Sequence, residues 1–242
     1  QKEAKNPDKQ TKDVLNYLNA ENQYLKYKMK HTEPLQEKLF NEIKNRIKKD
    51  DSSVPVTINN YSYYTRFEKD KEYPFHCRKE LQADAKEDIM LDVSKMAENY
   101  DYFAAVGLSV SPNEKLLIYG VDTVSRREYT LYIKDLDSGK LLDDNISNTT
   151  GKGVWANDNK TFFYTKQDPI TLRSYQIYKH TLGTPQSEDV LVYEENDDTF
   201  SCYVSKSKSK KYIMIGSHQT LSSEYRFIDA SKPHEEFKIV KK

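Results

Sequence analysis

The chain has 242 residues, and its 38 Lys and Arg balance 38 Asp and Glu, so it carries no formal net charge. At about 100–200 residues per domain this is one large domain or two small ones, and neutrality argues against a dedicated nucleic-acid binder, which carries a basic excess. Charged residues make up 31%, yet 19 Tyr, 9 Phe and one Trp supply the apolar area that disordered chains lack, and no apolar run reaches the roughly 18 residues that span a bilayer.

Two helices come first. Between Asp8 and Met29, the residues Val14, Leu15, Leu18, Leu25 and Met29 recur at threes, fours and sevens, one stripe of an amphipathic helix. Thr32, Glu33 and Pro34 then read as a second start: a capping hydroxyl, an acid at the positive end and a proline in the first turn. Leu35, Leu39, Ile43 and Ile47 follow every fourth residue, with Phe40 beside them. Lys44, Arg46, Lys48 and Lys49 load the last turns, where cations suit the helix dipole, and the run from Asp50 to Pro55 ends the helix. The prediction is an N-terminal helical hairpin within residues 1–55.

From Thr57 the period becomes two. Tyr61, Tyr63, Thr65 and Phe67 alternate with Ser62, Tyr64 and Arg66, and after Glu68–Lys71 the residues Tyr73, Phe75 and Cys77 alternate in turn, which predicts a β-hairpin. Asp92–Asn99 reads as one short helical turn. A unit then repeats. A polar turn leads into an apolar strand at Ser111–Tyr119, again at Ala156–Tyr164 and again at Ser207–Ile215. The intervals are 45 residues (111 to 156) and 51 residues (156 to 207), and a second strand starts near Tyr129, Tyr175 and Tyr225.

Units of four short strands at roughly 40–50 residues are the sign of β-propeller blades, whose sheets bury their faces only against neighbouring sheets. A β-sandwich also gives short strands at regular spacing, but the repeated turn-then-strand unit favours the propeller. The fold class expected is mainly β: a partial propeller of about four blades over residues 56–242, with blades near 56–100, 101–148, 149–197 and 198–242. Propellers close with about four to eight blades, so four could form a small ring, but the reading favoured is an arc of a larger ring, which leaves two sheet faces bare and open to self-association.

The chemistry-bearing residues are scattered. Gly107-Leu108-Ser109-Val110-Ser111 lacks the last glycine of a nucleophile elbow and lies in a strand, so Ser109 reads as structural. The five histidines, His31, His76, His180, His218 and His234, are at least 16 residues apart and show no zinc spacing; each reads as a surface or strand residue. Asp50-Asp51, Asp143-Asp144 and Asp197-Asp198 read as turn residues rather than acid–base pairs. Gly151-Lys152-Gly153 reads as a two-glycine turn, and the Lys/Ser run at Ser205–Lys211 as a solvated β-turn. Cys77 and Cys202 sit in alternating apolar segments and read as buried free thiols. Asn60, Asn145 and Asn148 open glycosylation patterns that carry little weight without a secretory context. No catalytic, cofactor or metal residue is assigned.

Longer strings carry a resemblance. Thr32-Glu33-Pro34-Leu35-Gln36-Glu37-Lys38-Leu39 running on to Val54-Pro55 resembles the oligopeptidase B branch of the prolyl oligopeptidase family of serine peptidases. So do Tyr61–Arg66 with Lys71–Pro74 and Cys77–Lys79; Val121–Val124 with Arg126, Arg127, Tyr129–Leu131, Lys134–Leu136 and Gly139; and Leu182–Thr184 with Asp189–Glu195 and Asp198–Phe200. The match runs from about Asp8 to Val240. The resemblance implies a seven-bladed propeller that caps an α/β-hydrolase domain and admits only short peptides, with the catalytic Ser, Asp and His encoded after the propeller. Acidic pockets for Lys or Arg side chains belong chiefly to that later domain.

On this reading the chain is the helical arm and propeller gate segment of a peptidase that cleaves short peptides after Lys or Arg. It lacks the catalytic domain and is inactive alone. Its partners are that C-terminal α/β-hydrolase domain, short basic peptides through it, and a second copy through open propeller edges; no cofactor, nucleic acid or membrane is involved. The alternative is a stand-alone propeller-type module for binding or self-association. The resemblance implies the cytoplasm, while a leader cleaved before Gln1 would imply the periplasm or secretion.

Overall fold

The computed structural model describes residues 7–240; the expectation tied to Gln1 lies outside that range. The chain divides into two compact units, residues 1–51 and 52–242.

The first unit is the helical hairpin. Helix α1 (Lys9–Met29) starts where Asp8 accepts the backbone N–H of Thr11 at 2.7 Å, a side-chain cap on an otherwise orphaned donor. A 3₁₀ turn, Lys30–Thr32, leads into α2 (Glu33–Arg46), with Pro34 in its first turn. The expected cap at Thr32 is corrected. Its backbone is already helical, and its hydroxyl donates back to the Met29 carbonyl at 2.6 Å while accepting from Gln36 Nε2 at 2.7 Å. The preceding 3₁₀ turn satisfies the start of α2, so no capping hydroxyl is needed. Neither helix has a buried residue, and the whole predicted stripe, Val14 through Ile47, is exposed.

The second unit is β. Strands β1 (Asp51–Ser52), β2 (Val56–Ile58), β3 (Tyr61–Phe67), β4 (Phe75–Glu80) and β5 (Glu87–Asp92) form a five-stranded sheet. Helix α3 (Val93–Ala97) follows, capped by Asp92, which accepts from Lys95 N at 3.0 Å. Strands β6 (Ala104–Val110), β7 (Leu116–Asp122), β8 (Tyr129–Asp135), β9 (Leu141–Trp155), β10 (Thr161–Gln167), β11 (Ser174–Thr181) and β12 (Val190–Glu194) make one seven-stranded antiparallel sheet in sequence order. Strands β13 (Ser201–Lys206), β14 (Tyr212–His218), β15 (Ser223–Asp229) and β16 (Lys238–Ile239) make a third sheet. None of the three sheets closes on itself among the described residues.

The repeat is visible in the backbone. Ser111 N bonds to Leu116 O, Ala156 N to Thr161 O and Ser207 N to Tyr212 O, each at 2.8–2.9 Å. The same position of each turn, Glu114, Asn159 and Lys210, adopts a left-handed φ of 59–64°. One turn geometry thus recurs at the spacing read from the sequence.

Strand β9 joins two ladders. Its first part pairs with β8 and its last part with β10, and Thr149 is opposite both Tyr129 and Lys166. Gly151 makes the bend: its φ is +86°, and a Cβ there would stand 2.6 Å from Val106 Cγ2 and 2.8 Å from Tyr129 Cγ. The expected two-glycine turn at Gly151–Gly153 is therefore corrected to a kink inside a strand, where a glycine lets another backbone approach closely.

Alternation then sorts side chains into three successive cores. Leu117 and Tyr119 pack with Met90, Leu91, Val93 and Phe103. Ile118, one residue away on the other face of β7, packs with Leu131, Ile146, Trp155, Phe162 and Tyr164. Phe163, between the last two, packs with Ile177, Cys202, Val204, Ile213 and Ile215. Period-two alternation sends neighbours to opposite faces, so one strand serves two sheet–sheet interfaces. Both thiols are free and buried; burial pushes Cys77 up to about 11 and Cys202 to about 12, which leaves neither a ready nucleophile.

Candidate functional site

Two places gather polar chemistry. The first is a cavity of about 760 Å³ to which all three sheets contribute. Its walls include Tyr63–Thr65 of β3, Leu108–Val110 of β6, Lys152–Trp155 at the end of β9, and Ser205 and Lys206 of β13. The β2–β3 hairpin lies against it, with Val56, Ile58 and Asn59 in the lining. Polar contacts hold this hairpin at its tip. Lys210 Nζ donates to Asn59 Oδ1 at 2.7 Å, while Asn60 donates to both oxygens of Glu114, from N at 3.3 Å and from Nδ2 at 3.0 Å.

The expected solvated turn at Ser205–Lys211 is corrected at Lys206. Its ammonium donates inward to Trp155 O at 2.9 Å and Asn157 Oδ1 at 2.7 Å. Burial first, and then the nearby Lys210 charge, lower it to about 8 despite the opposing pull of Asp158. The strand register explains this: Lys206 is the last β13 residue, opposite Ile213, before the turn swings out.

The second place is a buried cluster. His180, fully buried on β11, places Nδ1 at 2.6 Å from Asp189 and Nε2 at 3.0 Å from Asp144. Tyr164 donates its hydroxyl to Asp189 at 2.7 Å, and the Gly183 N–H donates to Asp144 at 2.6 Å. Burial pulls the imidazole down, but hydrogen bonds and charge from Asp189 and Asp144 outweigh it and hold His180 above its ordinary value. His180 is a strand residue, as expected, and one reading is corrected: Asp144 is no turn residue but lies within β9 with its side chain 7% exposed. Partners 36 and 9 residues away from His180 are brought together only by sheet pairing, so no local motif could announce them. Both ring nitrogens face carboxylates, which suits an imidazolium clamp between strands and leaves neither nitrogen free to take a proton from a nucleophile.

The remaining candidates are dispersed. Ser109 lies in β6, and its carbonyl accepts from Trp155 Nε1 at 2.9 Å. His31 lies 2.9 Å from Lys28 O, His218 packs edge-on against Tyr203, and His76 is lowered by burial. Asp197 does sit in a turn, accepting from Thr199 N and Oγ1. No group of three or more His, Cys, Asp or Glu side chains among the described residues is arranged to hold a metal ion, and no helix there is long and apolar enough to cross a membrane.

The comparisons with known proteins agree with this architecture. The family model described as prolyl oligopeptidase, N-terminal beta-propeller domain, matches residues 7–242, and the chain belongs to that family. It is 40% identical to dipeptidyl aminopeptidase BI of Pseudoxanthomonas mexicana, over 93% of this chain and 33% of the relative. It is 32% identical to protease 2 of Moraxella lacunata, over 96% of this chain and 35% of the relative. Among solved structures, oligopeptidase B from Leishmania major superposes with a TM-score of 0.85 at 30% identity, covering 94% of this chain and 33% of that one. The Trypanosoma brucei enzyme, in a closed form with covalently bound antipain, gives 0.84 at 28% identity, covering 98% of this chain and 33% of that one. The chain spans about a third of the length of these relatives.

Proposed function

We propose that this chain is the helical arm and propeller gate segment of a serine oligopeptidase that cleaves short peptides after Lys or Arg, and that it does not hydrolyse peptides by itself. The observation that carries the reading is the propeller-domain match over residues 7–242, together with a likeness to oligopeptidase B over 94% of the chain. The four-blade count follows if β6–β8 with the first part of β9 form one blade and the last part of β9 with β10–β12 the next. The partner is an α/β-hydrolase domain such as would fill the other two thirds of the relatives' length, and closure of the two would order the site and exclude water. The cytoplasm fits two buried, unpaired thiols.

The test is an assay of the purified chain with Arg- and Lys-containing peptide esters, set beside the reading frame that follows codon 242. No turnover, with a downstream G-x-S-x-G and then Asp and His, is the expected pair of results. Turnover that survives a serine-directed inhibitor would overturn the proposal. A second reading, a self-associating module, rests on the outer face of the third sheet, where Tyr203 and Tyr225 are 38% and 45% exposed. Concentration-dependent dimerisation in sedimentation, with a stop at codon 243, would favour it.

A further inference from the structure

We propose that the cavity shared by the three sheets is a carboxylate-binding site, and that its ligand is a short peptide held by its free C-terminal carboxylate. The charge count is the starting point. The whole chain is neutral, but the cavity lining holds three lysines, Lys152, Lys206 and Lys210, and one carboxylate, Glu114. That carboxylate is already engaged by Asn60 through N and Nδ2.

None of the three ammonium groups is paired with a carboxylate among the described residues. Lys206 bonds to a carbonyl and an amide oxygen, Lys210 to the Asn59 amide oxygen, and Lys152 is exposed on β9 between two buried glycines. Lys206 and Lys210 are close enough that the one depresses the other, a repulsion that a bound anion would relieve. A concave wall of low polarity focuses such a field and raises the local concentration of the opposite charge.

The walls select among anions. Val56, Ile58, Leu108 and Val154 give an organic ligand apolar surface to cover, which inorganic phosphate could not use. The volume of about 760 Å³ is within the roughly 300–1,000 Å³ that suits a small organic ligand. This inference deepens the gate reading, because it names what the gate holds, but its test reads binding and not hydrolysis. It can fail while the gate reading stands, and the reverse.

The experiment is calorimetric titration of the 242-residue chain with N-acetylated trialanine, with the same peptide as its C-terminal amide, and with inorganic phosphate. The expected result is saturable binding of the acid that weakens as salt rises, with the amide at least about tenfold weaker, the loss of one charge-assisted contact. Lys152→Glu should abolish the difference while leaving the thermal melt unchanged, since Lys152 is exposed and supports no other group. Lys210→Gln should weaken the acid alone. Equal binding of acid and amide, tighter binding of phosphate than of the peptide, no saturable binding, or an unaffected Lys152→Glu protein with a normal melt would each overturn the proposal.

Discussion

The helical unit and the β unit carry equally legible apolar patterns, yet only one of them buries what it patterns. In α1 and α2 the stripe from Val14 to Ile47 stays exposed. In the sheets, Leu117, Ile118, Phe162, Phe163 and Ile213 are wholly removed from solvent. The difference lies in where the partner is. A strand in a stack of sheets finds its neighbour in the next unit of the same repeat, whereas an amphipathic helix with no covered face needs a surface outside its own hairpin. Periodicity therefore specifies an element and a face but says nothing about the partner of that face.

The sharpest way to break this comparison is to cut both patterns. Phe162→Ala should cost about 3–5 kcal/mol, as for a buried aromatic cut to Ala, read as a large fall in the urea midpoint. Leu39→Ala should stay within about 0.5 kcal/mol, as an exposed substitution does. A Leu39 variant as unstable as the Phe162 variant would show that the helix stripe is covered in solution.

His180→Ala comes next. Removing the imidazolium leaves Asp144 and Asp189 buried without their shared partner, and breaking such a pair costs about 3 kcal/mol or more. The pH dependence has a definite sign. Because His180 is held above its ordinary value by Asp189 and Asp144 against the opposing effect of burial, the folded state binds the proton more tightly than the unfolded chain does. The stabilisation is complete below the unfolded value near 6.5 and is lost as pH rises through the higher folded value. Melting temperatures from pH 6 upward should fall in the parent and fall less in His180→Gln. Parallel curves would sink this account of the cluster.

The same contrast separates what the residues disclosed from what they hid. The helix stripes, the hairpin at Tyr61–Cys77 and the repeated turn at Ser111, Ala156 and Ser207 were readable because each depends on neighbours within a few residues. The continuation of β9 across two ladders was not, because a glycine at +86° looks like a turn until the flanking residues are known to pair with β8 and β10. His180 with Asp144, and Lys206 with Trp155, were hidden for a related reason: their partners are brought in by register over 36 and 51 residues. Local alternation places a residue on a face, and only the stacking of sheets decides whether that face is wet.

Gly151 gives a test of intermediate size. A Cβ there meets Val106 and Tyr129 and must also adopt a left-handed φ. Left-handed backbone costs a non-glycine residue about 1–2 kcal/mol, and overpacking adds about 1–3 kcal/mol. Gly151→Ala should therefore lower stability by about 2 kcal/mol or more, while Gly139→Ala, with φ +71° but nothing within 4 Å of its Cβ, should show only the backbone part. Equal losses at both positions would mean that the close approach at the β9 bend contributes nothing.

The smallest effect returns to the helices. Asp8 accepts from Thr11 N, and that bond with the companion one from the Thr11 side chain holds its carboxyl below the ordinary range. Asp8→Ala should fray the first turn of α1 and leave the sheets untouched, seen as a slight loss of helical circular dichroism with an unchanged urea midpoint. The same fraying should appear in the parent as pH falls through the lowered carboxyl value, since protonation removes the acceptor charge that the N–H groups favour. A shift of the β unit's midpoint on Asp8→Ala would show that the two units are energetically coupled, and the contrast between a covered and an uncovered pattern would then have to be redrawn.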